Sequence, residues 1–264
     1  MLIVKIGGGA TINHEGAIKD LSESNEPIII IHGANAARDK LAQDLGRPKK
    51  VVTSISGYES VLSDQAALDT MMMAYAGLRN KRIVELCQLH GINAVGLSGL
   101  DGRVIQGKRN SGIRIKEGEK KKIVRDLSGK PKKINTELLK LLIDNGYTPV
   151  LCVPIIDENG YAINSENDDI VNVLQQELRA DTVVQLIEAP GFLDDKDDPT
   201  SLVSKITPAE LEQREEQVQG RMKRKMLALR KLFESGASKV IISDGRVERP
   251  VHDALNGQGT IIGG

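Results

Sequence analysis

Two lysines, each close to glycine, and one acidic cluster are the parts of this 264-residue chain best suited to chemistry. Leu2-Ile3-Val4-Lys5-Ile6 runs straight into Gly7-Gly8-Gly9. A buried strand that ends in glycines presents bare backbone N–H groups at its tip, and such a nest binds anions, phosphates above all. Lys5 alternates with apolar neighbours, so its ammonium can reach the same tip. The same residues also describe an ordinary strand, a turn and a solvated lysine, because a glycine-rich loop is a weak signal by itself. Gly220-Arg221-Met222-Lys223-Arg224-Lys225-Met226 joins glycine, a helix start and lysines. That is either a second anion site or the basic face of an amphipathic helix. Between them, Ile163-Asn164-Ser165-Glu166-Asn167-Asp168-Asp169 leads into a helix. Its acids can cap that helix, or they can orient a lysine or a metal-bound phosphate.

The elements around these residues say how they are positioned. Ile28-Ile29-Ile30-Ile31 reads as a strand buried on both faces. It stops at His32-Gly33-Ala34-Asn35, and a helical pattern follows from Ala36 to Leu45. Two strand–glycine–helix units predict a parallel sheet with both turns at its carboxyl edge, where open α/β sheets bind ligands. His32 reads as a half-buried, satisfied histidine. Residues 15–24 read as a short helix. A long helix is expected from about Ser63 to His90, with Ser63 or Asp64 as N-cap and Gly91 as its stop. Met71-Met72-Met73 fits core or a subunit interface better than a cofactor site. Further strands are expected over 93–97, 148–153, 182–187 and 239–242, with a final edge strand over 259–262. Thr207-Pro208 opens a helix by the N-cap and N1 rule. The total is about eight strands with helices between most of them, and no internal repeat is evident.

Composition narrows the function classes. Lys plus Arg and Asp plus Glu both number 36, so no global charge points to nucleic acid or membrane. Aromatic content is 2% with no Trp, which argues against base-stacking platforms. No apolar run approaches the roughly 20 residues of a membrane span, and no signal-peptide pattern opens the chain, so a cytoplasmic protein is expected. Cys87 and Cys152 read as buried free thiols without zinc-ligand spacing. From Arg103 to Lys133 the chain carries twelve Lys or Arg against three Asp or Glu. Short alternating pieces there (103–106, 112–116, 120–125) read as hairpin strands. They form either a solvated β-ribbon or a docking surface for an acidic partner.

These stretches carry a resemblance. The chain resembles the amino acid kinase family throughout its length, and within it the acetylglutamate-kinase-like branch that acts on an amino acid tethered to a carrier protein. The matching runs are Val4-Lys5-Ile6-Gly7-Gly8, Asn80-Lys81-Arg82, Gly96-Leu97-Ser98-Gly99-Leu100-Asp101-Gly102, Gly146-Tyr147-Thr148-Pro149-Val150 and Gly220-Arg221-Met222-Lys223-Arg224-Lys225. The resemblance implies a three-layer α/β/α sandwich with a mainly parallel central sheet, formed by residues 1–264 as one domain. Residues 1–180 would hold the acceptor and 181–264 the nucleotide. It implies ATP and Mg²⁺, with no metal ligands assigned in the protein, and a homodimer. The implied reaction is phosphorylation of the side-chain carboxylate of a carrier-bound L-2-aminoadipate or L-glutamate to an acyl phosphate. The implied partner is a small acidic amino-group carrier protein, which suits the basic stretch over 103–133.

Residue roles follow from the resemblance as well. Lys5 and Lys225 match two lysines that bracket the transferring phosphoryl group, and Asp168 matches the aspartate that holds both. Gly7 and Gly8 match N–H donors to the γ-phosphate; Gly191, Met222 and Lys223 fall on nucleotide-binding positions. Gly33, Ala34, Asn35, Val61, Asn164 and Glu166 fall on acceptor-binding positions. Several of these depart from the family pattern. Ala34 and Asn35 replace smaller residues of the second turn, and Val61 stands where an arginine grips an α-carboxylate. Glu166 replaces Asp or Asn, and Ile187-Glu188 replaces a small hydroxyl residue and Asp or Asn. The phosphoryl-transfer residues are kept while acceptor residues change. That pattern favours an altered acceptor over an inactive regulatory homologue, the other class open at this point.

Overall fold

The computed structural model describes residues 1–53, 59–117, 120–195, 197–198, 200–217, 220–234, 236 and 239–263; the side chains of residues 53, 59–60, 116–117, 120–121, 217 and 220–225 lie outside that description. The chain begins β1 (Leu2–Ile6), α1 (His14–Ser22), β2 (Ile28–His32), α2 (Asn35–Asp44), β3 (Val51–Thr53) and β4 (Glu59–Val61). One long helix follows in three parts: α3 (Gln65–Met71), a π-helical segment (Met72–Arg79) and α4 (Asn80–Leu89). Next come β5 (Ala94–Gly99), β6 (Ile105–Arg109), β7 (Ile113–Glu117), β8 (Lys120–Val124), β9 (Gly129–Ile134) and α5 (Thr136–Asp144). Then follow β10 (Thr148–Ile156), β11 (Ala162–Ile163), α6 (Asn167–Leu178), β12 (Thr182–Ile187) and β13 (Lys205–Ile206). The chain closes with α7 (Pro208–Gln217), α8 (Gly220–Glu234), β14 (Lys239–Asp244), α9 (Pro250–Leu255) and β15 (Thr260–Gly263).

One sheet of eleven strands organises the molecule, in the order β13-β15-β14-β12-β1-β2-β10-β6-β9, with β5 and β11 also paired to β10. Its centre is parallel: β1 pairs with β2 and β12, β2 with β10, and β12 with β14. Alternation along these strands sends side chains to opposite faces. Ile3, Ile29, Ile31, Leu151, Val183 and Ile242 pack on one side with α6 and α8 through Ile170, Leu174, Met226 and Leu229. Leu2, Val4, Ile6, Ile30, Val184 and Ile241 pack on the other with α1, α4 and α9 through Ile18, Leu21, Ile83, Cys87 and Val251. The result is the expected three-layer α/β/α sandwich. Every residue of β2 is buried, four isoleucines and His32, as a strand between two helix layers must be.

Local chemistry sets the ends of the helices. Asp64 caps α3 by accepting from the Ala67 N–H at 2.9 Å. Ser63 is instead buried and donates its N–H to Asp126 at 2.8 Å, so of the two N-cap candidates only Asp64 serves. Thr207 and Glu210 form a reciprocal capping box at the start of α7. Cys87 and Cys152 are free and buried, and burial pushes both thiols up to about 12.

Three expectations are corrected. The sheet has eleven strands rather than about eight, because β6, β9, β11 and β13 join it. The 103–133 stretch is not one solvated ribbon: Ile105 and Ile134 are buried and their strands extend the main sheet, while β7 and β8 form a separate hairpin. Alternation with a buried face carries the outer strands inward, and lysine density masked that signal. The final strand, β15, is not an edge strand either; it lies between β14 and β13.

Candidate active site

β1 and β2 are parallel neighbours in register, Ile6 opposite His32. The turns that leave them therefore meet at the carboxyl edge, and they meet through bare backbone. A methyl group on Gly8 would lie 2.6 Å from the Ala34 nitrogen and 2.7 Å from the Asn35 nitrogen. One on Gly33 would lie 2.7 Å from the Gly8 nitrogen. Glycine is required at both places because the loops touch where a side chain would stand. Gly7 differs from its expected role: its N–H continues the ladder to the Leu186 carbonyl at 2.9 Å. It is not a free donor. The N–H groups of Gly8 and Gly9 have no partner among the described residues, so they are the donors this loop can offer.

Lys5 points to the layer that holds α6, and its ammonium pairs with Asp168 in the first turn of that helix. The lysine side chain is mostly buried. Asn167, one residue earlier, donates to the His32 carbonyl at 3.0 Å and so ties α6 to the second turn. His32 is fully buried and satisfied: its Nδ1 contacts the Gly33 carbonyl at 3.2 Å and its Nε2 the Asn80 amide at 3.2 Å. Burial pushes this imidazole down to about 3, so it stays neutral. Its role is to shape the turn.

The acceptor-side residues come from converging segments. Asn164 at the end of β11 donates to the Ser63 hydroxyl at 3.1 Å, two residues beyond Val61. Val61 itself pairs with Val51 on the β3–β4 hairpin and is exposed. Glu166 is the residue before α6 and caps it with backbone only. Ala34 is buried, and Asn35 opens α2 with its amide oxygen accepting from Tyr75 at 2.6 Å.

On the other side, Glu188 follows β12 and accepts from the Thr11 N–H at 2.9 Å and hydroxyl at 2.7 Å. These donors hold its carboxyl below the usual range. The carboxylate packs on Gly9, and a methyl group there would have to displace it. Gly191 is buried in the loop after β12, where a methyl group would lie 2.7 Å from both Leu202 and the Thr260 hydroxyl. It sits along the same edge but not at the two glycine turns. Lys225, Met222 and Lys223 belong to the backbone of α8, which packs on α6; their side chains lie outside the described residues.

Sequence reasoning gave no site role to Tyr75 or Thr11, took Ser63 only as an N-cap candidate and took Asn167 only as part of the acidic run. Only Tyr75 gave a signal, as one of four tyrosines in a chain poor in aromatics. The others make their contacts here with partners distant in sequence.

A lysine held by an aspartate, beside two interlocked glycine turns at the carboxyl edge of a parallel sheet, can neutralise and orient a transferring phosphoryl group. The model of the amino acid kinase family matches residues 1–244. The chain belongs to the amino acid kinase family. This amino acid kinase is 39% identical over 99% of its length to the whole of the [LysW]-aminoadipate kinase of Thermus thermophilus. It is 31% identical, over 99% of its length, to the whole of the acetylglutamate kinase of Methanopyrus kandleri. Its fold matches the carbamate kinase of Giardia lamblia bound to AMP-PNP with a TM-score of 0.69 at 15% identity, over 99% of this chain and 97% of that one.

Proposed function

We propose that this kinase transfers the γ-phosphoryl group of ATP to the side-chain carboxylate of L-2-aminoadipate or L-glutamate carried on a small acidic amino-group carrier protein, in lysine or arginine biosynthesis. The observation that carries the chemistry is the Lys5–Asp168 pair beside the Gly8–Gly33 contact. The acceptor class is supported by the full-length likeness to the [LysW]-aminoadipate kinase of Thermus thermophilus.

The acceptor carboxylate is already a nucleophile, so no general base is needed. One of its oxygens bonds to the γ-phosphorus as the bond to the β,γ-bridging oxygen breaks, and ADP leaves with that electron pair. Charge develops on peripheral phosphoryl oxygens, and catalysis consists of positioning and neutralisation. Lys5 supplies one cation; Lys225, on α8, is proposed as the second. Gly8 and Gly9 N–H groups face the phosphoryl oxygens, and Gly191, Met222 and Lys223 serve the nucleotide. Val61, Asn164 and Glu166 line the acceptor side. Residues 1–180 form the acceptor lobe and 181–264 the nucleotide lobe of this reading.

Among the described residues no three His, Cys, Asp or Glu come together to hold a metal. In this reading Mg²⁺ would arrive on the phosphates of ATP, the usual arrangement for this ion, and would supply neutralisation of phosphate charge. Exposed Met73, Leu78 and Leu89 along the long helix support a homodimer. A cytoplasmic location agrees with the absence, among the described residues, of a helix long and apolar enough to cross a membrane.

The direct test incubates the purified protein with ATP and a LysW-type carrier bearing 2-aminoadipate or glutamate, and traps the acyl phosphate with hydroxylamine. Stoichiometric ADP and hydroxamate are expected. Turnover of free N-acetylglutamate alone would move the reading to that acceptor, and ATP binding with no turnover of any of these would leave a regulatory binder.

A further inference from the structure

The second glycine turn rests on an unusual piece of helix. From Met72 to Arg79 the long helix is π-helical. In an α-helix, residues five apart point about 140° away from one another; an i→i+5 repeat stacks them on one face. Tyr75 and Asn80 are five apart; Asn80 reaches His32 at the end of β2, and Tyr75 reaches Asn35 in the turn that follows. Asn80 donates to the Val150 carbonyl at 2.9 Å and contacts His32 Nε2 at 3.2 Å. Tyr75 stacks beside His32 with ring centroids 6.5 Å apart, and its hydroxyl donates to Asn35 Oδ1 at 2.6 Å. An α-helix through the same residues would turn one of the two away.

The Tyr75–Asn35 bond joins a buried group to an exposed one. Tyr75 is 4% exposed, whereas Asn35 is exposed at the start of α2, against the Gly8 backbone. A side-chain amide has one accepting end and one donating end. With Oδ1 held by the phenol, the nitrogen end is left for a ligand. A loose Asn35 could turn its oxygen to the same place, where it would repel a carboxylate. Burial pushes the Tyr75 phenol up, against the opposing pull of Arg38 and the Ala34 N–H, and Glu166 and Asp39 push it further up. The hydroxyl therefore keeps its proton and remains a donor.

We propose that Tyr75 is a positioning residue that fixes the Asn35 amide with its nitrogen toward the acceptor, so that Asn35 donates a hydrogen bond to the reacting carboxylate. The assignment rests on the functional reading above. It gives the π segment a function: it brings the phenol under the turn while Asn80 still anchors His32. It also gives Asn35 a role in acceptor choice that a glycine there could not play.

The test is a double-mutant cycle on the full chain with carrier-bound 2-aminoadipate. Tyr75→Phe is expected to raise the acceptor KM about tenfold, as loss of one buried hydrogen bond to a binding group does, with the ATP KM unchanged. Asn35→Leu is expected to do at least as much. Because Tyr75 acts through Asn35, the double variant should be no worse than Asn35→Leu alone. Additive losses, or an ATP KM that rises in step, would overturn the proposal in favour of general support of the fold. A wild-type protein that turned over no carrier-bound amino acid would instead defeat the functional reading. In that event nitrogen-15 NMR still decides the positioning role. The Asn35 side-chain amide pair, recognised by its loss in Asn35→Asp, should shift and broaden in Tyr75→Phe; an unchanged pair would overturn it.

Discussion

Lys5 and Asp168 lie 163 residues apart and form one ion pair at the edge of the sheet. Without Asp168 the mostly buried Lys5 ammonium would turn to other anions, so the aspartate fixes where it points. Lys5→Ala is expected to lower kcat by about 10² to 10³, the scale of losing one preorganised group on developing charge, with an unchanged melting temperature. Asp168→Asn should lower kcat too, because it releases the ammonium from its place. Steady-state kinetics beside thermal melts checks both, and near-normal rates in both variants would remove Lys5 from the mechanism.

At the scale of elements, the two glycine turns are one device. Neither strand–turn–helix unit makes a site alone; the register of β1 against β2 brings Gly8 and Gly33 into backbone contact. Gly33→Ala forces a methyl group to 2.7 Å from the Gly8 nitrogen. The loops must part, at a cost of about 1–3 kcal/mol. Calorimetry should show a melting temperature lower by several degrees, and the ATP KM should rise because the Gly8 N–H has moved. A variant with wild-type melting and wild-type ATP KM would mean the turns are not coupled in this way. The long helix shows the same principle in another form. Its α-helical ends are ordinary, and its π segment sets which side chains face the turn.

For the molecule as a whole, charge is balanced but unevenly spread. The basic stretch is partly neutralised within the fold: Lys130 pairs with Asp169, and Arg109 lies 3.9 Å from the buried Asp157. Lys132 and Lys133 on β9 are exposed. If an acidic carrier docks here, charge reversal at Lys132 and Lys133, or at Lys120, Lys121 and Lys122, should raise the KM for carrier-bound substrate and leave kcat unchanged. Rim charges speed encounter and are screened by salt, so the wild-type KM should rise with ionic strength. Kinetics at two salt concentrations separates this from a solvated surface. A salt-independent KM with indifferent variants would retire the docking surface without touching the kinase.

Much of this was legible in the chain itself, where the signal is local. Ile28–Ile31 is buried on both faces because four isoleucines admit no other placement. Asp64 and Thr207 announce helix starts through bonds that close within three residues, and Pro208 does so by its fixed φ at the first helical position. Lys5 beside Gly7-Gly8-Gly9 drew notice as a candidate phosphate loop through residue type alone. What the sequence left open depends on distant partners. The Gly7 N–H is taken by the Leu186 carbonyl through a ladder with β12, whereas the Gly8 and Gly9 N–H groups have no partner among the described residues. The lysine-rich stretch sent two of its strands into the main sheet because buried Ile105 and Ile134 outweigh their charged neighbours. Tyr75 gained its role from a π turn whose hydrogen bonds no residue pattern announces. Sequence by itself determined which groups could bind phosphate and which strands had to be buried, because those follow from side-chain chemistry and short-range geometry. Only the tertiary structure decided which N–H groups stay free and which side chain holds Asn35, because hydrogen-bond partners are assigned by strand register and helix phase across the whole chain.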